Sequence, residues 1–265
     1  MSDSPANAYY RLAVLGDPVK HSRSPQLHET MLEVAGLAGE YHRIRADEDL
    51  LSTTVDELRR GHWDGLNVTM PLKEAAARIA DFLSPTAEKS GSVNTLIRND
   101  SRIDGDSTDS STFRELFRSG RFADSTSVLI LGAGGSAAAA LASMEDASNL
   151  YVAARRTPAA EGLTTRLGGE VVSWGTGVAG ALVINTTPLG MSGEELPIGI
   201  IEVASGVVDL PYGPSPTPAV EAARRLSLPY CDGHEFLLRQ AMASFRLWTG
   251  VDTEYETVVA ALRNT

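Results

Sequence analysis

The alternation of short apolar runs with helical segments constrains the fold of this chain more than any other feature of its sequence. The runs RLAVLG (11–16) and SVLIL (127–131) are apolar at successive positions and end at turn residues, as strands buried on both faces do. Helical patterns follow them over 25–35 and 136–147. Strands that alternate with helices predict an α/β protein with mostly parallel sheets and helices on the sheet faces.

The length and the turn segments predict two domains. The chain has 265 residues, which suits two domains better than one small domain. A hairpin is predicted over 92–98 and 101–105. A new series of strands and helices begins with a predicted helix over 109–118, so the boundary is expected near residues 106–109.

Charge and cysteine content exclude several classes of function. The formal net charge of −11 argues against nucleic-acid binding, because phosphate binding needs a basic face. Cys231 is the single cysteine, so an intrachain disulfide is impossible, a cysteine zinc site would lack ligands, and no metal site is expected. The start of the chain lacks signal-peptide features, and no apolar run has the length of a membrane span. A cytoplasmic protein without a membrane partner is therefore expected.

A glycine-rich segment directly after the strand at 127–131 predicts a dinucleotide site. The pattern is Gly-x-Gly-x-x-Ala, placed between a strand and a helix. Gly132 permits the tight turn, Gly134 lets a pyrophosphate approach the backbone, and Ala137 keeps the helix close to the sheet. The helix N-terminus faces the phosphates. The residues expected to contact the cofactor here are Gly132, Ala133, Gly134, Gly135, Ser136 and Ala137.

The end of the next predicted strand favours NADP over NAD. NAD-binding domains usually carry an acidic residue there for the ribose hydroxyls. This chain has Arg155 and Arg156 instead, and guanidinium groups bind a 2′-phosphate bidentately. The alternative is that both arginines are solvated side chains at a strand end.

Four polar segments lie where loops are expected in the first domain. They are 21–25, 67–73, 92–95 and 105–109, and they carry hydroxyls, amides, one lysine and aspartates. Such groups suit a polyhydroxylated carboxylic acid as a small-molecule ligand. Each also has a structural alternative. Ser22 and Ser24 could cap a helix, Asn67 and Asn94 could satisfy backbone groups, Lys73 could be solvated, and Asp109 could be a helix N-cap.

In this order, the segments resemble the shikimate dehydrogenase family over nearly the whole chain. The similarity continues in the second half. The run 185–191 (NTTPLGM) resembles the family's loop beside the nicotinamide, and 209–212 (DLPY) with Thr217-Pro218 resembles its next strand and substrate-facing loop. Gln240, after Asp232-Gly233, matches the glutamine that reaches the substrate.

The resemblance implies a two-domain NADP-dependent oxidoreductase that reduces 3-dehydroshikimate to shikimate. It implies a βαβ-type substrate domain over residues 1–106, completed by the C-terminal helices 238–265, and a Rossmann NADP-binding domain over residues 107–237. A monomer or a homodimer is expected. The implied substrate-binding residues are Ser22, Ser24, Asn67, Thr69, Asn94, Tyr212 and Gln240, and the implied additional cofactor contacts are Thr186 and Gly233.

Lys73 and Asp109 would form the catalytic pair in such an enzyme. Hydride transfer to a ketone produces an alkoxide that needs a proton, and the reverse reaction needs that proton removed. A lysine ammonium held by a nearby aspartate can donate the proton, and its charge stabilises the developing oxyanion.

Several positions depart from the family pattern, and these departures leave alternatives open. Ser107 replaces an asparagine, Ser110 replaces a glycine, and Glu235 stands where a small residue normally approaches the nicotinamide. One alternative is therefore a non-catalytic NADP-binding regulator. The other is a quinate or quinate/shikimate dehydrogenase that uses NAD, against which Arg155 and Ser24 both argue.

Overall fold

The computed structural model describes residues 9–144 and 147–263. The strands are β1 (Tyr9–Gly16), β2 (Ala38–Arg45), β3 (Gly65–Val68), β4 (Phe82–Leu83), β5 (Thr95–Asn99), β6 (Arg102–Asp106), β7 (Ser127–Leu131), β8 (Asn149–Ala153), β9 (Glu170–Val171), β10 (Ala181–Asn185), β11 (Gly206–Asp209) and β12 (Tyr230–Cys231). The helices are α1 (Ser24–Val34), α2 (Glu48–Arg59), α3 (Lys73–Ile79), α4 (Pro85–Ser90), α5 (Thr108–Arg118), α6 (Gly135–Ser143), α7 (Thr157–Leu167), α8 (Pro218–Arg225), α9 (Gly233–Thr249) and α10 (Tyr255–Leu262).

The chain divides into two compact units. The first comprises the described residues up to Thr108 together with those from Leu238 onward, and the second comprises Asp109–Leu237. Each unit contains one six-stranded sheet. The predicted α/β class, with two mostly parallel sheets, is confirmed.

The sheet of the first unit has the order β2-β1-β3-β5-β6-β4. β1 pairs in parallel with β2 and β3, whereas β5 is antiparallel to both β3 and β6. β1 is apolar at successive positions because it is buried on both faces: Ala13 and Leu15 pack into one core, and Leu12 and Val14 into another. The parallel strands β1 and β3 therefore end side by side, and the segments after them begin at one edge of the sheet.

The sheet of the second unit is entirely parallel, with the order β12-β11-β10-β7-β8-β9. With β7 counted as the first strand, this is the order 3-2-1-4-5-6 of dinucleotide-binding domains. β7 is central and buried on both faces, with Val128 and Ile130 in one core and Leu129 and Leu131 in the other. The strand order reverses between β7 and β10, and ligands of such sheets bind at the carboxyl ends of the strands at this point.

Most of the predicted elements are present, and two of the predicted helices end earlier than expected. The hairpin is confirmed as β5 and β6, which pair Asn99 with Arg102 at the turn. The predicted helix over 136–147 ends at Ser143, and residues 145 and 146 lie outside the described residues. The alanine-rich sequence over 72–82 predicts a helix, but α3 ends at Ile79, because the chain becomes extended at Ala80 and continues as β4.

The expectation that Ser24 caps α1 is wrong. Ser24 is the first helical residue, Arg23 occupies the N-cap position, and no side chain caps the helix. The Ser24 hydroxyl instead accepts a hydrogen bond from the Ser22 hydroxyl at 3.2 Å. The short helices α4 and α8 were not expected from the sequence. Both start with a capping hydroxyl followed by proline, at Ser84 and Thr217, a helix-start signal that lies here within loop-like sequence.

Within residues 9–144 and 147–263, no helix is both long and apolar enough to cross a membrane. In the same residues, no group of three or more His, Cys, Asp or Glu side chains could hold a metal ion.

Candidate active site

The glycine turn lies between β7 and α6 at the carboxyl edge of the second sheet. Gly132 has φ +119°, a conformation that L side chains rarely adopt, and a Cβ atom there would overlap Oγ1 of Thr186. Gly134 differs, because its φ is −96° and no atom lies within 4 Å of a Cβ built on it. The protein itself therefore does not require glycine at 134. A phosphate group that approaches the backbone would require it, so the turn fits a dinucleotide.

The remaining residues of the turn lead into a closely packed helix. Ala133 is partly buried against the core, Gly135 starts α6, and Ser136 is half-buried. Ala137 is fully buried, as are most of the alanines that follow it. These small side chains bring α6 close to the sheet, so its N-terminal amide groups lie at the turn.

Two arginines follow the neighbouring strand β8. Arg155 and Arg156 are both exposed, and Arg156 occupies the N-cap position of α7. Both residues therefore directly precede the N-terminus of α7, whose partial positive charge also favours an anion. This arrangement suits a 2′-phosphate better than a ribose hydroxyl.

The loop after β10 packs against the glycine turn. The backbone amide and the hydroxyl of Thr186 both donate to the carbonyl oxygen of Leu131, at 2.9 and 2.8 Å. Together with the overlap described at Gly132, these bonds place Thr186 beside the glycine turn, and its expected contact with the cofactor stays a prediction.

The loop after β11 contains Tyr212 and leads to α9. Tyr212 is half-buried, and its ring centroid lies 5.4 Å from that of His234. Gly233 is closely surrounded by backbone, since a Cβ there would overlap the carbonyl oxygens of Leu210 and Pro211. Close packing of the chain thus explains this glycine, and its expected contact with the cofactor stays a prediction.

A buried polar cluster occupies the first unit. The Nδ2 atom of Asn67 lies 3.0 Å from the Asn94 carbonyl oxygen and 3.2 and 3.0 Å from the hydroxyls of Thr95 and Ser244, so its two hydrogens are shared among three acceptors. Its Oδ1 accepts a hydrogen bond from the Tyr41 hydroxyl at 2.7 Å. The orientation of the Asn67 carboxamide is therefore fixed. The structural alternative for this residue was that it satisfies a backbone group, and its bond to the Asn94 carbonyl oxygen shows that it does so.

Asn94 extends this cluster to α5 and α9. Its Nδ2 donates to Thr108 Oγ1 at 2.9 Å and to Gln240 Oε1 at 3.2 Å, while its Oδ1 accepts from the Thr108 amide at 2.8 Å. Asn67, Asn94 and Gln240 are thus brought together as expected. Tyr41 and Ser244 were missed by sequence reasoning, although Ser244 follows Gln240 by one helical turn and shares its face.

Other expected site residues of the first unit lie in the segments that follow β1 and β3. Ser24 is buried and Ser22 half-buried, with their hydroxyls 3.2 Å apart. Thr69 follows β3, and its amide donates to the Leu15 carbonyl oxygen at 2.8 Å. Lys73 is the first residue of α3 and is half-buried.

Asp109 lies in the second unit and is buried near the start of α5. It is the second residue of the helix rather than its N-cap, because α5 begins at Thr108. Its pairing with Lys73 of the first unit stays a prediction.

The three departures from the family pattern are accommodated by hydrogen bonds. The Ser107 amide donates to Asp106 Oδ1 at 2.7 Å, and the Ser110 hydroxyl donates to the Ala139 carbonyl oxygen of α6 at 3.2 Å. Glu235 accepts a hydrogen bond from Arg121 Nη1 at 2.9 Å. None of the three leaves a side chain without a partner.

The fold and these features define a class of protein: a two-unit α/β protein whose first unit is rich in buried hydroxyls and amides and whose second unit has the fold of a dinucleotide-binding domain. The family model for the shikimate dehydrogenase substrate binding domain matches residues 14–96, and the model for the shikimate 5'-dehydrogenase C-terminal domain matches residues 233–263. A shikimate dehydrogenase (NADP(+)) of Acidiphilium cryptum is 37% identical over 97% of this chain and 98% of its own length. This chain belongs to the shikimate dehydrogenase family.

Further relatives agree in sequence and structure. A shikimate dehydrogenase (NADP(+)) of Paramagnetospirillum magneticum is 39% identical over 91% of this chain and 93% of its own. The crystal structure of Thermus thermophilus shikimate 5-dehydrogenase in complex with NADP(H) and shikimate superposes with a TM-score of 0.84 at 33% identity, covering 96% of this chain and 99% of that one. A chorismate mutase/shikimate 5-dehydrogenase fusion protein from Clostridium acetobutylicum gives 0.86 at 28% identity, covering 97% of each.

Proposed function

We propose that this protein is an NADP-dependent shikimate dehydrogenase that interconverts 3-dehydroshikimate and shikimate. The observation that carries the proposal is the glycine turn of the second unit. Thr186 packs against Gly132, the side of Gly134 is open, and two arginines follow the neighbouring strand. The names of the relatives, and the shikimate bound by the Thermus protein, support the choice of substrate.

The cofactor would be held by groups of the second unit. Backbone amides of residues 132–137 would bind the pyrophosphate, and Arg155, with Arg156, would bind the 2′-phosphate. When bound, NADPH supplies the hydride. Thr186 and Gly233 would lie beside its nicotinamide end.

The substrate would be held mainly by the polar cluster of the first unit. Ser22 and Ser24 would donate to its carboxylate, and Thr69, Asn94 and Gln240 would hold its hydroxyls. Tyr212 would contribute from the loop after β11. In Asn67 the amide hydrogens are already used inside the protein, so its Oδ1 would act towards the substrate as an acceptor from a hydroxyl.

Lys73 and Asp109 would carry the proton chemistry. As the ketone is reduced, the Lys73 ammonium would donate a proton to the oxygen that becomes the hydroxyl, and in the reverse direction its amine would accept that proton. The Asp109 carboxylate would orient Lys73 and favour its charged form. The same positive charge would stabilise the developing oxyanion.

The test is an absorbance assay for reduced nicotinamide, with shikimate or quinate and with NADP or NAD. We expect turnover with shikimate and NADP. Turnover of quinate with NAD would instead identify the quinate enzyme. NADPH binding without turnover of any pair would identify a non-catalytic regulator.

Substitution of the two charged residues tests the mechanism. Lys73→Ala is expected to lower turnover by about 10²–10⁴-fold with little change in shikimate binding. Lys89→Ala is the matched control, because Lys89 is exposed in the last turn of α4, and it should retain full activity. Undiminished turnover in Lys73→Ala would remove this residue from the mechanism.

We also propose that the enzyme is cytoplasmic and a monomer or a homodimer. Cys231 is the single cysteine of the sequence, so an intrachain disulfide is impossible and the fold needs no oxidising compartment. Light scattering coupled to size-exclusion chromatography measures the oligomeric state directly.

A further inference from the structure

A buried carboxyl group lies at the carboxyl edge of the second sheet, outside the residues assigned above. Asp209 ends β11 and is fully buried. Such a group is costly to bury unless hydrogen bonds compensate its desolvation. Its bonds run to the last residue of β10 and to the end of the loop after β11.

The first bond reaches Asn185, the last residue of β10, and through it the loop that follows. Asn185 Nδ2 donates to Asp209 Oδ1 at 2.7 Å, and the same nitrogen donates to the Leu189 carbonyl oxygen at 3.0 Å. Asn185 Oδ1 accepts from the amide and the hydroxyl of Thr187, at 3.0 and 2.7 Å. Asn185 thus sets the path of the loop, and Asp209 sets the orientation of Asn185.

The second bond reaches the end of the loop after β11. The Thr217 hydroxyl donates to Asp209 Oδ2, and Thr217 is the N-cap of α8, where its hydroxyl accepts from the Val220 amide at 3.3 Å. The two loops also approach each other, since a Cβ built on Gly190 would lie 3.2 Å from the Thr217 side chain.

We propose that Asp209 is a positioning residue for the cofactor site. By binding Asn185 and Thr217 together, it holds the 185–190 loop so that Thr186 stays against the glycine turn, and it anchors the loop that carries Tyr212. The inference rests on the proposed function, because it assigns these loops to NADP and substrate.

Carboxylate geometry explains why aspartate is needed at this position. Its two oxygens accept from two different donors, the Asn185 amide and the Thr217 hydroxyl. An asparagine has the same shape but only one acceptor oxygen, so its own NH₂ group would face one of these donors. Asp209→Asn therefore removes one anchor while it keeps the packing.

The experiment measures NADPH affinity by fluorescence titration, well below the melting temperature of each variant. Asp209→Asn is expected to raise the Kd for NADPH about tenfold, as expected for loss of one buried hydrogen bond to a charged group. Thr217→Val should raise it in the same direction, and Thr217→Ser, which keeps the hydroxyl, should restore wild-type affinity.

A hydrogen bond at the opposite edge of the same sheet supplies the control. The Ser125 and Ser205 hydroxyls, which precede β7 and β11, lie 2.6 Å apart. Ser205→Ala should lower thermal stability while NADPH affinity stays within about twofold of wild type, because ligands bind at the other edge.

The outcomes separate the two proposals. A wild-type protein that binds no NADPH contradicts the proposed function. A wild-type protein that binds, with a folded Asp209→Asn variant of equal affinity, overturns the positioning role. An equal loss of affinity in Ser205→Ala also overturns it, because the effect would then be general destabilisation. If Asp209→Asn does not fold, Thr217→Val decides, and an unchanged Kd in that variant contradicts the inference.

Discussion

Removal of the polar atoms from two stacked rings in the first unit is predicted to change the stability of the protein in opposite directions. His28 of α1 is fully buried and stacks on Tyr41 of β2, with ring centroids 4.5 Å apart and an angle of 7° between the planes. The Tyr41 hydroxyl donates to Asn67 Oδ1 at 2.7 Å. Both ring nitrogens of His28 are buried without a hydrogen-bond partner. The two residues thus share an environment and differ in how well their polar atoms are satisfied.

Tyr41→Phe should destabilise the protein by about 1–3 kcal/mol, because it removes the donor to a buried amide oxygen. His28→Phe removes two nitrogens whose burial without a partner costs about 1–3 kcal/mol, and it keeps an aromatic ring in the stack. The larger phenyl ring offsets part of this gain through overpacking. His28→Phe is therefore expected to be at least as stable as wild type, within about 1 kcal/mol.

The histidine variant should also differ from wild type in acid. Burial lowers the pKa of His28 from 6.5 to about 3, so the unfolded chain binds a proton near neutrality that the folded protein binds only at much lower pH. The free energy of unfolding of the wild-type protein therefore decreases as the pH falls below 6.5. His28→Phe lacks this loss, so its stability relative to wild type should increase by about 2 kcal/mol between pH ~7 and pH ~5.

Urea unfolding is the assay, because tryptophan fluorescence reports on this region: the Trp248 ring centroid lies 5.2 Å from that of His28. Tyr9→Phe is the control, since Tyr9 is 56% exposed, and its change should stay within about 0.5 kcal/mol. The reasoning is refuted if His28→Phe costs as much as Tyr41→Phe, because the imidazole nitrogens would then make stabilising bonds.

Three further predictions concern the second unit. Arg155→Ala should weaken NADP binding roughly ten- to a hundredfold and leave NAD binding unchanged, as measured by titration. Arg166→Ala is the control, because Arg166 is exposed on α7. Equal losses of affinity for both cofactors would contradict a 2′-phosphate contact. Gly132→Ala should abolish cofactor binding, since its Cβ would overlap Thr186 at positive φ; retained affinity would contradict the fit. Burial raises the pKa of Asp209 from 3.8 to about 6, with the Asp232 carboxylate adding to it. The folded protein therefore keeps this proton up to a higher pH than the unfolded chain does. In urea unfolding, the stability of Asp209→Asn relative to wild type should increase by about 2–3 kcal/mol from pH ~4 to ~7. A difference in stability that stays constant with pH would contradict the raised pKa.

Local sequence was sufficient to predict the central strands and the glycine turn between β7 and α6. The runs at 11–16 and 127–131 are apolar on both faces, which few structures other than central strands satisfy. The glycine pattern at 132–137 permits backbone conformations that other residues rarely adopt, so six consecutive residues are enough to indicate the turn. Helix ends were less predictable: α3 ends at Ile79 although its sequence remains compatible with a helix, because β4 pairs with β6.

The expected roles of single polar residues were the least predictable part. Ser24 has the side chain of a helix cap, but its hydroxyl is bonded to Ser22. Glu235 departs from the family pattern, and only the structure shows its carboxylate bound to Arg121. A hydroxyl or carboxylate accepts any nearby donor, so its partner depends on which segments the fold brings together.

The sequence by itself determined which residues form strands, where the chain turns, and which chemical groups are present for a dinucleotide and a hydroxylated acid. These properties depend on backbone preferences and apolar periodicity over a few neighbouring residues. Only the tertiary structure decided the partners of the buried polar groups. Asn67 bonds to Ser244, 177 positions away, and Asp209 joins two loops. The physical reason is that hydrogen bonds require atoms within about 3 Å of each other, and proximity between distant segments is set by packing of the whole unit.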